Sequence, residues 1–223
     1  MKLLSALIIA LLLFLSACSN IPTLRGGKTD LTPSANAPEE KVNETSEPSQ
    51  PLGKVLFIIA QASFRDEELL KPQQILEKAG YGTDVTSLTT DHAMGMMGTI
   101  IKPDLAVRDV NLDDYIMIVV VGGSGAPSLA RSADVINLLK SAKNRSMNMG
   151  AICLGPMALA NAGVLDGKQA TYFRSSESTA ALEQGNAIIV DKEIIADGNI
   201  ITANGPAASE KFGNELLKLL KSQ

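Results

Sequence analysis

The sequence predicts an α/β fold in which a mainly parallel sheet is sandwiched between layers of helix. Three observations predict it. Near-continuous apolar runs at 54–60, 115–121 and 149–152 read as strands covered on both faces, since a half-exposed strand would alternate. Stretches with helical spacing separate these runs, as crossovers between parallel strands require. Glycines follow the runs directly, in Gly122-Gly123-Ser124-Gly125 and at Gly155, and it is beyond the carboxyl ends of strands that such sheets form their sites.

Taken in order, the first strand, Lys54 to Ala60, leads into a helix from about Asp66 to Ala79. That helix carries Leu69, Leu70, Ile75 and Leu76 as its apolar stripe and Gly80 as its stop. A strand near Asp84 to Leu88 precedes a Gly/Met-rich loop through Gly95 and Gly98. The strongest buried strand is Tyr115 to Val121, followed by a helix from about Ala133 to Asn144. Next come the strand Met149 to Ile152 and a helix after Pro156. Strand-like Ala170 to Phe173, a short helix around Ser178 to Glu183, and strands near Ala187 to Val190, Ile194 to Ala196 and Ile200 to Ala203 are expected to complete the sheet. Asp197-Gly198-Asn199 is a tight-turn signal between the last two strands. The terminal helix, Ala208 to Leu220, sets Phe212, Leu216, Leu217 and Leu220 on one face.

Ahead of this domain, expected over 53–223, the chain changes character twice. Residues 1–18 read as an export signal: a basic start at Lys2, an apolar run from Leu3 to Leu15, and the small residues Ser16 and Ala17 before Cys18. Leu15-Ser16-Ala17-Cys18 resembles a bacterial lipobox, which makes Cys18 the expected lipidation site and the lipid bilayer an expected partner. The implied location is the cell envelope, on its periplasmic or extracellular face. Residues 19–52, rich in Pro, Ser, Thr, Asn and Glu, lack the apolar periodicity needed to offset the entropy of ordering, and read as a disordered tether.

Composition narrows the functional classes. A net charge of -4 and the lack of any basic cluster give no electrostatic reason to expect nucleic acid. With 4% aromatic residues and no tryptophan, stacking platforms for bases or sugars are not expected either.

The chemistry concentrates at Ala151-Ile152-Cys153-Leu154-Gly155-Pro156, where a strand gives way to a helix. Small residues there permit the sharp turn that presents a nucleophile, and a thiol at a helix N-terminus is expected to ionise more readily than a free one. Gly122 to Gly125 lacks the third glycine of a dinucleotide fingerprint and the Gly-Lys-Ser/Thr of a phosphate loop. It reads either as a tight turn or, through the N–H of Gly123 together with that of Leu154, as an oxyanion hole. The acids Asp66, Glu67 and Glu68 complement a helix dipole. His92 reads as a solvated loop residue. Met94, Met96 and Met97 offer thioethers of the kind Cu(I) favours, but are expected to line a flexible loop or a subunit contact. No metal or other cofactor is expected.

Phe64 through Pro72, the glycine loop after the strand ending at Val121, Ala151-Ile152-Cys153 with Gly155-Pro156, and Ile201-Thr202-Ala203-Asn204-Gly205-Pro206 together resemble the ThiJ/PfpI family in one order, over essentially all of 54–220. The resemblance implies a flavodoxin-like three-layer sandwich related to class I glutamine amidotransferases, self-associated as a homodimer or larger homo-oligomer. It implies Cys153 as the elbow cysteine and Glu68 as a protonated carboxyl sharing one negative charge with it. Leu154 stands where many members carry histidine, and Tyr172 where the deglycase branch does, so a Cys-His peptidase dyad is not supported and Tyr172 becomes an auxiliary candidate. Two functions follow. One is a cysteine enzyme acting on small reactive carbonyls, glyoxalase- or deglycase-like, with amide or ester hydrolysis as a weaker version. The other is a non-catalytic envelope sensor or scavenger in which peroxide oxidises Cys153 beside Glu68.

Overall fold

A computed structural model describes residues 50–222, and the predictions for 1–18 and most of 19–52, Cys18 included, lie outside the described residues. The central sheet has seven strands. In chain order they are β1 (Lys54–Ile58), β3 (Gly82–Ser87), β6 (Leu105–Ala106), β7 (Met117–Val120), β8 (Asn148–Ile152), β11 (Ile194–Asp197) and β12 (Ile200–Ala203). Their spatial order is β11-β12-β8-β7-β1-β3-β6, and every pairing is parallel except β11 with β12. The tight turn at 198 explains the exception, since adjacent strands joined this closely can only run antiparallel.

Two apolar layers form because successive side chains of a strand point to opposite faces. Val55, Phe57 and Ile59 of the first run share one core with Met117, Val119, Val121 and Ile152, under α1 (Asp66–Lys78) and α6 (Ser209–Lys221). Leu56, Ile58, Ile118, Val120, Met149 and Ala151 build the other core, under α2 (Ala126–Arg131), α3 (Ala133–Asn144), α4 (Pro156–Asn161) and α5 (Ser176–Gln184). This is the α/β three-layer sandwich that the alternation of apolar runs and helices predicts.

Three local expectations are corrected. Ala170 to Phe173 and Ala187 to Val190 do not enter the main sheet: β9 (Gln169–Ala170) and β10 (Ile188–Ile189) form a separate two-stranded parallel sheet, although the Gln169 N–H still reaches the Asp197 carboxylate at 2.9 Å. The Gly/Met-rich segment is no structureless loop. β4 (Ala93–Gly95) and β5 (Ile100–Ile101) make a hairpin that adds to β2 (Ala62–Phe64) as a small sheet. Helix α2, unforeseen, fills the stretch after the glycine loop, with Pro127 in its first turn where a missing N–H costs nothing.

After β1 the chain crosses to β3 on one side and later returns to β7 on the other, so β1 and β7 flank a topological switch point. The loops after β1, β7 and β8 therefore converge on one edge.

Candidate active site

At that edge β8 ends on Ile152, and Cys153 turns the chain with φ +62°, a left-handed conformation rare for a residue with a Cβ. Hydrogen bonds hold it there from both sides. The Cys153 N–H donates to the Ala203 carbonyl at 2.9 Å, the Phe173 N–H donates to the Cys153 carbonyl at 2.8 Å, and the Gly155 N–H closes the turn on the Ile152 carbonyl at 2.8 Å. Strain of this kind persists only where the surroundings over-determine it. The glycines supply the space: a Cβ on Gly155 would stand 2.4 Å from the Val120 carbonyl oxygen, and one on Gly122 would stand 2.6 Å from both the Cys153 Cβ and Glu68 Oε2. Glycine is what lets loop, thiol and carboxyl occupy one place.

Glu68 enters from the first turns of α1 and is fully buried, while Cys153 is 7% exposed. Oε2 of Glu68 accepts the Gly122 N–H at 3.0 Å, and Oε1 is buried with no well-aligned donor, leaving the carboxyl free to share a proton with the thiol beside it. Burial pushes Glu68 up to about 7, against the opposing pull of the thiol hydrogen bond, the Gly122 N–H and the Arg65 charge. Burial, then the carboxylate charge of Glu68, push Cys153 up to about 12, whereas the N–H groups of Gly123 and Leu154 draw it down. The readily ionised thiol expected from the helix terminus is thus corrected. α4 is only six residues long, and its N-terminus is outweighed by desolvation and a neighbouring acid. As pH rises, the pair loses one proton near 7 and holds the second until about 12, so across the intervening range it carries one negative charge, held chiefly on the Glu68 carboxylate that the thiol faces.

Gly123 and Leu154 lie at the turn, with their N–H groups directed at the sulfur itself. Gly123 has φ +98°, and a Cβ there would meet the Arg65 backbone nitrogen at 2.5 Å. Tyr172 is placed elsewhere in chemical terms. It is buried in the core on the opposite face of the sheet, and its hydroxyl hydrogen-bonds the Thr179 hydroxyl at 2.8 Å, so the geometry gives it packing in place of proton transfer. His92 is exposed, immediately before the small-sheet strand β4. A cavity of about 350 Å³ is lined by Thr171 to Arg174, Asp191 and Asn204 to Ala207, and of these residues Phe173 bonds the Cys153 backbone.

Sequence reasoning missed Arg65 and Glu67. Arg65 Nη2 donates to Glu67 Oε1 at 3.0 Å and Nε lies 2.8 Å from Oε2 without hydrogen-bond alignment, an ion pair whose charges act on Glu68 in opposite senses. An Arg-x-Glu run at a helix start reads as dipole decoration, and nothing in the sequence says that Glu68 lies buried beside it.

A profile of the DJ-1/PfpI family matches residues 53–219. An uncharacterized protein of Methanocaldococcus jannaschii is 41% identical over 169 residues, covering 75% of this chain and 82% of its own length. The deglycase PfpI of Pyrococcus furiosus is 28% identical over 171 residues, covering 75% and 99%. Among solved structures, a ThiJ/PfpI domain protein from Brachyspira murdochii superposes with a TM-score of 0.73 at 30% identity, covering 76% of this chain and 97% of its own. With the family's match spanning the sheet, the elbow and the terminal helix alike, the chain belongs to the DJ-1/PfpI family.

Proposed function

We propose that the protein converts small 2-oxoaldehydes, or their adducts with amines, into hydroxy acids through covalent catalysis by Cys153. The observation that carries this reading is the fully buried Glu68 carboxyl, anchored by the Gly122 N–H at 3.0 Å, set beside the Cys153 thiol at its strained strand-to-helix turn. In the reaction the sulfur forms a bond to the aldehyde carbon while its proton passes to Glu68, which returns it to the new oxygen and yields a hemithioacetal. Glu68 then carries the proton from that carbon to the neighbouring carbonyl carbon by way of the enediol, leaving a thioester of the hydroxy acid. Water cleaves the thioester and restores the thiol. The sum is 2-oxoaldehyde plus water to 2-hydroxy acid, with no outside oxidant. The N–H groups of Gly123 and Leu154, which face the sulfur at rest, would then stabilise negative charge on the oxygen two bonds from it. Two curated relatives named as deglycases, from Pyrococcus furiosus and Pyrococcus horikoshii, support the substrate class.

The test is lactate formation from methylglyoxal. Turnover is expected in the wild-type protein and lost in Cys153→Ala and Glu68→Gln. Equal lactate from wild type and Cys153→Ala would end the proposal. Attachment to the envelope through a lipid on Cys18 is proposed on the lipobox-like Leu15-Ser16-Ala17-Cys18 alone. Metabolic labelling with a tagged fatty acid should mark wild type and leave Cys18→Ala unmarked.

A further inference from the structure

Phe173, Arg174, Asp191 and Asn204 line one cavity and take no part in the chemistry proposed above, and two of them carry opposite charges. Arg174 Nη2 lies 3.6 Å from Asp191 Oδ1, within reach of an ion pair but too far for a hydrogen bond, and the two side chains are 59% and 91% exposed. A pair so loose and so exposed contributes little, so each charge stays open to a better partner at small cost. The Asn204 amide makes no side-chain hydrogen bond among the described residues. Phe173, half exposed, adds an aromatic wall. The backbone beneath these groups is fixed. The Phe173 N–H donates to the Cys153 carbonyl at 2.8 Å and its carbonyl accepts the Ser178 hydroxyl at 2.7 Å, within the capping box that anchors Ser175, so Arg174 stands between two held residues. The Lys192 N–H donates to the Val190 carbonyl at 3.1 Å, closing a tight turn on Asp191, and the Lys192 carbonyl accepts the Thr171 hydroxyl at 2.6 Å. The Asn204 N–H donates to the Glu193 carbonyl at 3.0 Å, and Asn204 directly follows Ala203, whose carbonyl takes the Cys153 N–H. Cation, anion and amide thus meet around one cavity on an ordered frame that is tied to the backbone of Cys153.

We infer that this cavity binds the zwitterionic head of a free amino acid, with its carboxylate on Arg174 and Asn204 and its ammonium on Asp191. A ligand with one charge alone is repelled by the like-charged member of the pair, whereas a zwitterion replaces the 3.6 Å contact with two charge-assisted ones. The guanidinium fork takes a carboxylate through two parallel bonds, which fixes its direction as well as its strength. At about 350 Å³ the cavity lies at the lower end of the range in which small ligands bind, about 300–1,000 Å³, and suits a single amino acid. Resting on the carbonyl chemistry proposed above, the inference names the amine adduct as that of free lysine. The side-chain nitrogen bonds the aldehyde carbon and its proton passes to the oxygen, giving a hemiaminal, while the other end of the molecule keeps both charges. Hemiaminal plus water then gives hydroxy acid plus lysine.

The experiment titrates L-lysine into the full-length chain carrying Cys18→Ala, in which Cys153 is the remaining thiol, and follows the backbone amide resonances of Phe173, Arg174 and Asn204. These should move together and saturate at one lysine per chain. Lysine amide and Nα-acetyl-lysine, each lacking one charge of the head, should bind about tenfold more weakly or worse, since a hydrogen bond to a charged group is worth roughly that factor. Arg174→Gln and Asp191→Asn keep the shape, remove one charge each, and should weaken lysine binding to the same degree. Saturating lysine should also slow alkylation of Cys153 by iodoacetamide, because its amine end then lies at the thiol. Absence of a saturable shift overturns the proposal, as does equal binding of lysine and both capped forms, or binding that survives both substitutions unchanged. Saturable binding that leaves alkylation untouched overturns the lysine adduct as substrate. None of these readings needs turnover, so failure of the catalytic proposal shows separately, as absent lactate.

Discussion

Glu68 accepts the proton on which the proposed chemistry depends, and its environment makes two outcomes measurable. As the pair ionises once near 7, the rate of Cys153 alkylation by iodoacetamide should show a step centred there, ahead of the rise toward about 12. Glu68→Gln should erase the step, because no carboxyl remains to share the charge; a single rise at the ordinary thiol midpoint in wild type would refute the shared proton. The same residue burdens the fold. Its pKa is raised from 4.5 to about 7, so the stability of the protonated carboxyl is fully present below pH 4.5 and is lost as pH rises toward 7. At about 1.4 kcal/mol per unit this reaches about 3 kcal/mol at pH 8. Glu68→Gln should therefore unfold at higher urea than wild type at pH 8, with the difference shrinking near pH 4. Cys153 was legible in the sequence because its elbow is local grammar, a strand, small residues and Pro156. Glu68 was reached only through the family resemblance and not through any local pattern, since its partner Gly122 is 54 positions away in sequence.

Among the elements, short pieces held by single side chains were the hardest to read and are the easiest to test. The hairpin 93–101 escaped detection because strands of three and two residues carry no periodicity, and what orders them is the Asp66 carboxylate, which accepts N–H bonds from Met97 and Thr99 at 2.8 and 2.9 Å. Burial works against that charge, but the bonds from Thr99 and Met97 prevail and hold Asp66 below the usual carboxylate range. The contribution is present above the unfolded-state value of 3.8 and disappears as pH falls through the lower folded value. Asp66→Ala should cost about 1.5–3 kcal/mol, the worth of hydrogen bonds to a charged group. Amide exchange at Met97 and Thr99 should rise in the same variant, and unchanged protection there would show that the hairpin orders itself. The long apolar strands and α1, α3 and α6 were legible for the opposite reason: each carries enough burial to set its own pattern. Helix α2 was hidden behind a glycine loop that has its own demand for space. A Cβ on Gly125 would stand 1.8 Å from the Ala62 carbonyl oxygen. Since backbone cannot yield as a side-chain tip can, Gly125→Ala should fall at or beyond the upper end of the roughly 1–3 kcal/mol cost of overpacking.

The whole molecule matters to the site because the acid and the thiol arrive on different layers. Cys153 is fixed by the sheet through Ala203, whereas Glu68 rides on α1, whose position is set by α6 across a glycine. At Gly213 a Cβ would lie 2.8 Å from Ile75 Cδ1 and 2.9 Å from the Pro72 Cα, so the two helices touch nearly backbone to backbone four residues from the acid. Pro72 also leaves the Glu68 carbonyl without the N–H that a regular helix would supply. Gly213→Val should therefore push α1 outward and stretch the 3.0 Å bond between Glu68 and the Gly122 N–H, losing about 1–3 kcal/mol of stability. It should also lose the alkylation step near pH 7, although it touches neither site residue. Gly150→Ala supplies the control. Its Cβ would meet Leu216 Cδ2 at 2.6 Å and Phe212 Cζ at 3.0 Å, the ends of side chains that can turn aside, on the strand that bears Cys153. That variant should be destabilised yet keep the step. If both variants lose stability and both keep the step, the contact between α1 and α6 supports the fold alone, and the position of Glu68 is fixed from within its own helix.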